Sequence, residues 1–190
     1  VPEYEHKVEG DAAAKMVSSM AVIKFAAGNI FTGRFAEFKN MTAILEWGAP
    51  FSSRPYSLKG WYDYRPAIVN RDEMGQYPEL MGKSDIMQIS VALVAAGEDG
   101  DTSPLIVNSN FPGKPDLKTD PRVIAFAQIV SDQDTGGEYQ EFELVLNYRE
   151  GDNRTPIYAI IVASPSFHGD FFTGGVGSTM YVDDFSFTYR

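Results

Sequence analysis

The chain has 190 residues, 44% hydrophobic and 13% aromatic, enough to bury a full core as one domain over 1–190. Sixteen basic against 26 acidic side chains give a net charge of −10, which argues against the phosphate backbone, and so against nucleic acid, as a partner. With no cysteine, disulfides, zinc–thiolate centres and thiol nucleophiles are all removed.

In chain order the apolar period is two nearly everywhere, and strands are expected at 12–17, 21–25, 42–47, 57–65, 85–95, 123–130, 139–148, 157–164 and 179–189. In the seventh, Phe142, Leu144, Leu146 and Tyr148 alternate with Glu141, Glu143, Val145 and Asn147, the pattern of a strand buried on one side. No segment carries a helical stripe, so nine strands separated by Gly, Pro, Asn and Asp turns predict an all-β sandwich. Two connections, 66–84 and 96–122, exceed the ~12–15 residues of an ordinary loop and are expected to be ordered flaps over one mouth or face. The longest apolar runs, such as 157–163, are too short to cross a bilayer, so no transmembrane segment is expected. The chain opens without a charged and apolar leader, and any signal or lipid anchor is expected to lie outside this sequence.

On the strand 57–65, Lys59, Trp61 and Asp63 share one face, and Gly60, Tyr62 and Tyr64 the other. A sugar has an apolar ring face rimmed by hydroxyls, so an indole between a cation and a carboxylate suits polysaccharide or oligosaccharide binding. Gly60 would permit close approach of a facing chain or ligand, and the Arg54 fork could bridge hydroxyls or accept a uronate. Core packing competes for Trp61 and is the stronger reading for Trp47, which alternates with Ala43 and Leu45. Glycoside hydrolysis needs two carboxyls flanking the scissile bond, and Glu143 with Asp63 or Glu141 heads the candidates, ahead of Glu46 and Asp85. A solvated face in an acidic protein accounts for the same glutamates.

His168 lies in the loop 164–170, where Ser, His and Asp could spell a triad without a nucleophile elbow, so a packing or ligand-contacting role is expected. The 174–177 glycines precede no helix, unlike a phosphate-binding loop. The acidic turns 98–101 and 132–137 lack EF-hand spacing, and the latter reads as a hairpin turn. On the last strand Tyr181, Asp183, Phe185, Phe187 and Tyr189 are expected on one face. Asp183 among such rings needs a partner, and two are open: loop amides, or an ion.

Two resemblances bear on this. The closing Tyr-Val-Asp-Asp-Phe at 181–185 resembles the last strand of jelly-roll carbohydrate-binding modules, which implies a structural calcium held by Asp183. Residues 28–35 (GNIFTGRF), 48–55 (GAPFSSRP) with 58–64 (LKGWYDY), and 163–185 together resemble the putative carbohydrate metabolism domain family. That resemblance implies a galactose-binding-like jelly roll, C-terminal to an immunoglobulin-like domain, in secreted or outer-membrane proteins of Bacteroidetes. Residues 10–16 fit the family's early Gly-x-x-Ala strand, whereas the aromatic-and-glutamate strand expected before it is not visible, so this chain is expected to be a C-terminal piece. The leading expectation is an extracellular or outer-membrane-surface binding module, with Trp61 stacking on a sugar and Arg54, Lys59 and Glu143 bonding hydroxyls. The alternatives are a glycoside hydrolase, and an adhesin or protein-interaction module with an apolar patch near Phe111 and Pro112.

Overall fold

The computed structural model describes residues 1–39, 42–108 and 115–190; Phe111 and Pro112 lie outside the described residues. Two antiparallel sheets form the body. The front sheet runs Pro2–Glu3, Ala13–Val17, Thr179–Thr188, Ser57–Arg65, Gln140–Val145 from edge to edge. The back sheet runs Asn147–Tyr148, Val123–Ser131, Met87–Ala95, Pro156–Ser164, Ile30–Phe31. Most successive strands alternate between the sheets, which is the jelly-roll connectivity.

Period-two alternation in Ser57–Arg65 and Gln140–Val145 sends Leu58, Tyr64, Phe142 and Leu144 inward against Met87, Ile89, Val91 and Leu93 of the back sheet. Met87–Ala95 is buried at every position, because its other face is also covered. There a three-stranded cover sheet of Leu105–Asn108, Thr42–Trp47 and Gly33–Lys39 packs Trp47, Leu105 and Val107 on Ala92, Val94 and Ile160. Two of those strands were not expected: Gly33–Lys39, and Leu105–Asn108 inside the connection 96–122.

Other departures have local causes. The expected 21–25 strand is instead the turn of a hairpin: Ser19–Ala21 pairs with Lys24–Ala26 across Val22 and Ile23, with Val22 in the left-handed region at φ 59°. The expected 139–148 strand breaks at Leu146: Gln140–Val145 pairs in the front sheet, and Asn147–Tyr148 crosses to the back sheet opposite Ala125 and Phe126. In the last strand Asp183 lies opposite Trp61 and Ser186 opposite Lys59, so a bulge intervenes, with Asp184 in the left-handed region at φ 50°. An extra residue reverses the side-chain parity. Tyr181 and Asp183 face outward while Phe185 and Phe187 turn to the core, which corrects the single-face expectation. Phe185 stands edge-on to Phe142, ring centroids 5.2 Å apart, and a Cβ on Gly60 would lie 2.4 Å from its Cδ1. Gly60 is there for that ring, not for a ligand.

Candidate functional site

Most of the expected residues, though not Arg54 or His168, gather on the outer face of the front sheet, in cross-strand rows of Asp183, Trp61 and Glu141, then Ser186, Lys59 and Glu143. Trp61 is half-buried, not a core residue. Most polar neighbours are already paired. Glu143 accepts from Ser57 Oγ at 2.7 Å and has Lys59 Nζ at 3.7 Å. Asp63 is fully buried, bonded by His6 Nε2 at 2.7 Å, Arg65 Nη2 at 2.7 Å and the Thr135 hydroxyl. Burial opposes ionisation there, but the donors from Thr135, Arg65 and His6 outweigh it and hold the carboxyl below the usual carboxylate range. Asp63 is therefore a fastener, beyond reach of a sugar, and cannot pair with Glu143 or Glu141 across a scissile bond. His6, stacked on Tyr139 at 4.7 Å and edge-on to Tyr181, draws the N-terminal segment over this face.

Asp183 takes the amide role. Its Oδ2 accepts from Val8 N at 2.7 Å and Glu9 N at 3.1 Å, and its Oδ1 from Asp184 N at 2.9 Å. These three donors fill the loop-amide role, and among the described residues no three His, Asp or Glu side chains cluster as a metal site. Arg54 is also committed elsewhere, donating to Arg154 O at 2.6 Å and Asp152 O at 3.0 Å with its guanidinium 4.4 Å from the Tyr148 ring centre. It clamps a turn instead of offering a fork to a sugar.

The back sheet presents a different surface. Beyond the edge of the cover sheet, its outer face opens into a groove of about 410 Å³, within the range of small-molecule sites. Gln88, Ser90, Phe126 and Gln128 form the floor, with Trp47 beside them. Pairing sets Ser90 opposite Gln128 and Ala92 opposite Phe126, so the floor changes from amide to aromatic over one two-residue step, about 7 Å. Gln128 Nε2 donates to Gln88 Oε1 at 3.0 Å. Gln88 and Ser90 are mostly covered by their neighbours, but their polar tips reach the groove, where among the described residues no protein atom bonds the Gln88 amide nitrogen or the Ser90 hydroxyl. Solvent in the groove, or a ligand that displaces it, supplies the hydrogen bonds of these groups.

Two loops wall the groove. One brings Asp116, Leu117 and Lys118, whose Nζ lies 5.7 Å from the Phe126 ring centre. The other brings Phe167, Asp170 and Phe171 around the short 3-10 turn Gly169–Phe171. His168, within this second loop, packs behind the wall with its ring centroid 4.0 Å from that of Tyr77. Burial lowers its pKa below the ordinary histidine value, against the pull of Asp85, Glu79 and Asp170, so it is a neutral buttress. The triad spelling does not assemble: Ser164 donates to Gly28 O at 2.8 Å and Ser166 to Asp85 Oδ2 at 2.6 Å.

Asp85 pins the same loop. It is 3% exposed, and Oδ2 accepts from Ser166 Oγ, Ser178 Oγ at 2.7 Å and Gly175 N at 2.8 Å. Burial dominates these neutral donors and raises its pKa above the usual carboxylate value. Sequence reasoning passed over Gln88, Ser90 and Gln128. The available signal was polar residues at alternate positions of otherwise apolar central strands.

The profile of the putative carbohydrate metabolism domain matches residues 4–188. The chain belongs to that family. Two solved structures are similar over 100% of this chain, both described as putative glycoside hydrolases. One, from Bacteroides thetaiotaomicron, has 24% identity and a TM-score of 0.75. The other, from Bacteroides vulgatus, has 20% identity and a TM-score of 0.73, with 76% of its length covered. Both likenesses establish the fold, and this chain spans 56% of the length of the first. No curated protein matches the chain. As a member of the family it is a carbohydrate-related β-sandwich domain.

Proposed function

We propose that this domain binds a glycan chain in the back-sheet groove, at the cell exterior or outer-membrane surface, without cleaving it. One observation carries the reading: the Gln88 amide nitrogen and the Ser90 hydroxyl face the groove without a protein partner among the described residues, beside the Phe126 ring. Sugar hydroxyls can both donate and accept, and a pyranose face can lie on an aromatic ring, so a glycan satisfies this floor without rearranging it. The exterior setting and an upstream immunoglobulin-like domain rest on the family resemblance alone.

The test is a polysaccharide panel followed by tryptophan emission and reducing-end release on the same samples. In a Trp61→Phe background the signal comes from Trp47 beside the groove floor. Saturable change in Trp47 emission without new reducing ends is the expected result. New reducing ends would replace binding by hydrolysis, and Glu143→Gln would show whether the front-face glutamate takes part. Binding lost with Trp61→Ala but kept with Gln88→Leu would move the site to the front face.

A further inference from the structure

We infer that copies of this chain associate by seating the apolar hairpin tip of one in an acid-rimmed cleft on the flank of another, a contact separate from the groove. The tip is the turn between Ser19–Ala21 and Lys24–Ala26. Its Val22 and Ile23 are 96% and 82% exposed, so nothing within the chain covers them. A β-branched residue rarely enters the left-handed region, yet Val22 does so at φ 59°. Such backbone strain is costly and concentrates where it serves a function. Here it leaves two adjacent aliphatic side chains in solvent beside Lys24, which forms no ion pair among the described residues and whose Nζ lies 4.8 Å from the Phe172 ring centre.

The cleft opens at the flank, between the closing strand Thr179–Thr188 and the back-sheet edge strand Ile30–Phe31, with a volume of about 360 Å³. Ala12 and Ala14 line its front side and Ile30, Phe31 and Ile161 its back, so its walls are apolar and the small alanines leave it open. Asp183 and Asp184 also line it, and Asp184 is exposed, held by the bulge at φ 50°. Asp183 is bonded by backbone amides alone, and among the described residues neither carboxylate pairs with a cation. The lysines of the adjoining segment and strand are tied elsewhere. Lys7 Nζ donates to Gly10 O at 2.8 Å and Asp11 O at 3.1 Å, and Lys15 pairs with Glu3 at 3.7 Å.

Tip and cleft match in two independent respects. Aliphatic side chains that their own chain leaves bare fit an apolar slot, and the neighbouring ammonium fits its two carboxylates. Within one chain the tip stays away from the cleft, with Lys24 over Phe172 and Phe25 N donating to Glu73 Oε1 at 2.6 Å. Because every molecule carries both halves, a second copy is the partner of matching chemistry, and the contact is heterologous. A net charge of −10 keeps copies apart at other points of their surfaces, so the local cation–carboxylate pair selects where they touch.

Sedimentation equilibrium over a concentration series tests this. The contact is small, in the class of transient encounters, so association is expected above roughly 100 μM, and added salt should weaken it. Ile23→Asp removes the tip and Ile30→Lys blocks the cleft, each with an unchanged circular-dichroism spectrum. Either alone should weaken association about 10-fold or more, whereas an equimolar mixture of the two should pair again, since each supplies the half the other lacks. Asp184→Asn, which keeps a residue suited to the left-handed region, should weaken it about 3-fold and reduce its salt dependence. A cyclised peptide of residues 19–26 should compete with association. A chain still monomeric at about 1 mM, association unmoved by Ile23→Asp, or a mixture no heavier than its components would overturn the inference. Peptide held in the cleft by chains that stay monomeric would give the cleft to another protein's hairpin and overturn it as well.

Discussion

The outer faces of the two sheets differ in what their polar groups are doing. On the front face Asp63, Glu143 and Asp183 each have partners from His6, Arg65, Thr135, Ser57, Lys59 or the Val8 and Glu9 amides. On the back face the Gln88 amide nitrogen and the Ser90 hydroxyl open onto the groove, and among the described residues no protein atom bonds them. A face whose charges are matched internally fastens the fold. A face whose neutral polar groups open onto a groove leaves those groups to solvent or to a ligand that brings hydroxyls.

The sharpest way to break this comparison is to substitute one face at a time. Gln88→Leu with Gln128→Leu removes two or three hydrogen bonds of about 1 kcal/mol each and should weaken glycan binding roughly 10- to 100-fold by calorimetry. Trp61→Ala should change it less than about 2-fold, and the reverse order would exchange the two faces' roles. Asp63→Asn should then lower unfolding free energy by about 1.5–3 kcal/mol in urea, the scale of hydrogen bonds to a charged group, with groove affinity kept. Gly60→Ala should cost about 1–3 kcal/mol through the Phe185 clash, partly recovered when Phe185→Leu is added.

Acid titration sharpens the contrast through two buried aspartates of opposite shift. Asp63 is lowered, so its stabilisation is present above the unfolded carboxylate pKa and lost as pH falls through the folded value. Asp85 is raised, so the folded state gains relative stability as pH falls through its raised value toward the unfolded one. In Tm measured against pH, Asp63→Asn should flatten the acid-side loss and Asp85→Asn should steepen it. The smallest effect is expected at the front-face surface pair: Lys59→Ala, acting on a pair about 40% exposed, should cost under about 1 kcal/mol and leave binding alone.

Much of the fold was legible. Ser57–Arg65 is found at its expected bounds, and Met87–Ala95, Val123–Ser131 and Pro156–Ser164 lie within two residues of theirs, because long alternating or continuous apolar runs leave few other structures open. Gly33–Lys39 and Leu105–Asn108 were missed because their stability comes from covering Ala92, Val94 and Ile160, a face the sequence could not assign. The facing of Lys59, Trp61 and Asp63 was read correctly, and Asp183 has the amide partners that were one of its two expected roles. The loop containing His168 does wall the groove, through its neighbours Phe167, Asp170 and Phe171.

By itself the sequence determined an all-β sandwich, since period-two patterning with turn residues between strands is a local property. It also carried family membership, in three segments whose order and spacing survive without coordinates. Which outward face could serve a ligand was decided by the tertiary structure. Whether Asp63 or Gln88 is satisfied depends on His6, Thr135 and Gln128, residues 57, 72 and 40 positions away in sequence. Only folding brings such partners together, or leaves them apart, and it separates a face whose polar groups are bonded internally from one whose polar groups open onto a groove.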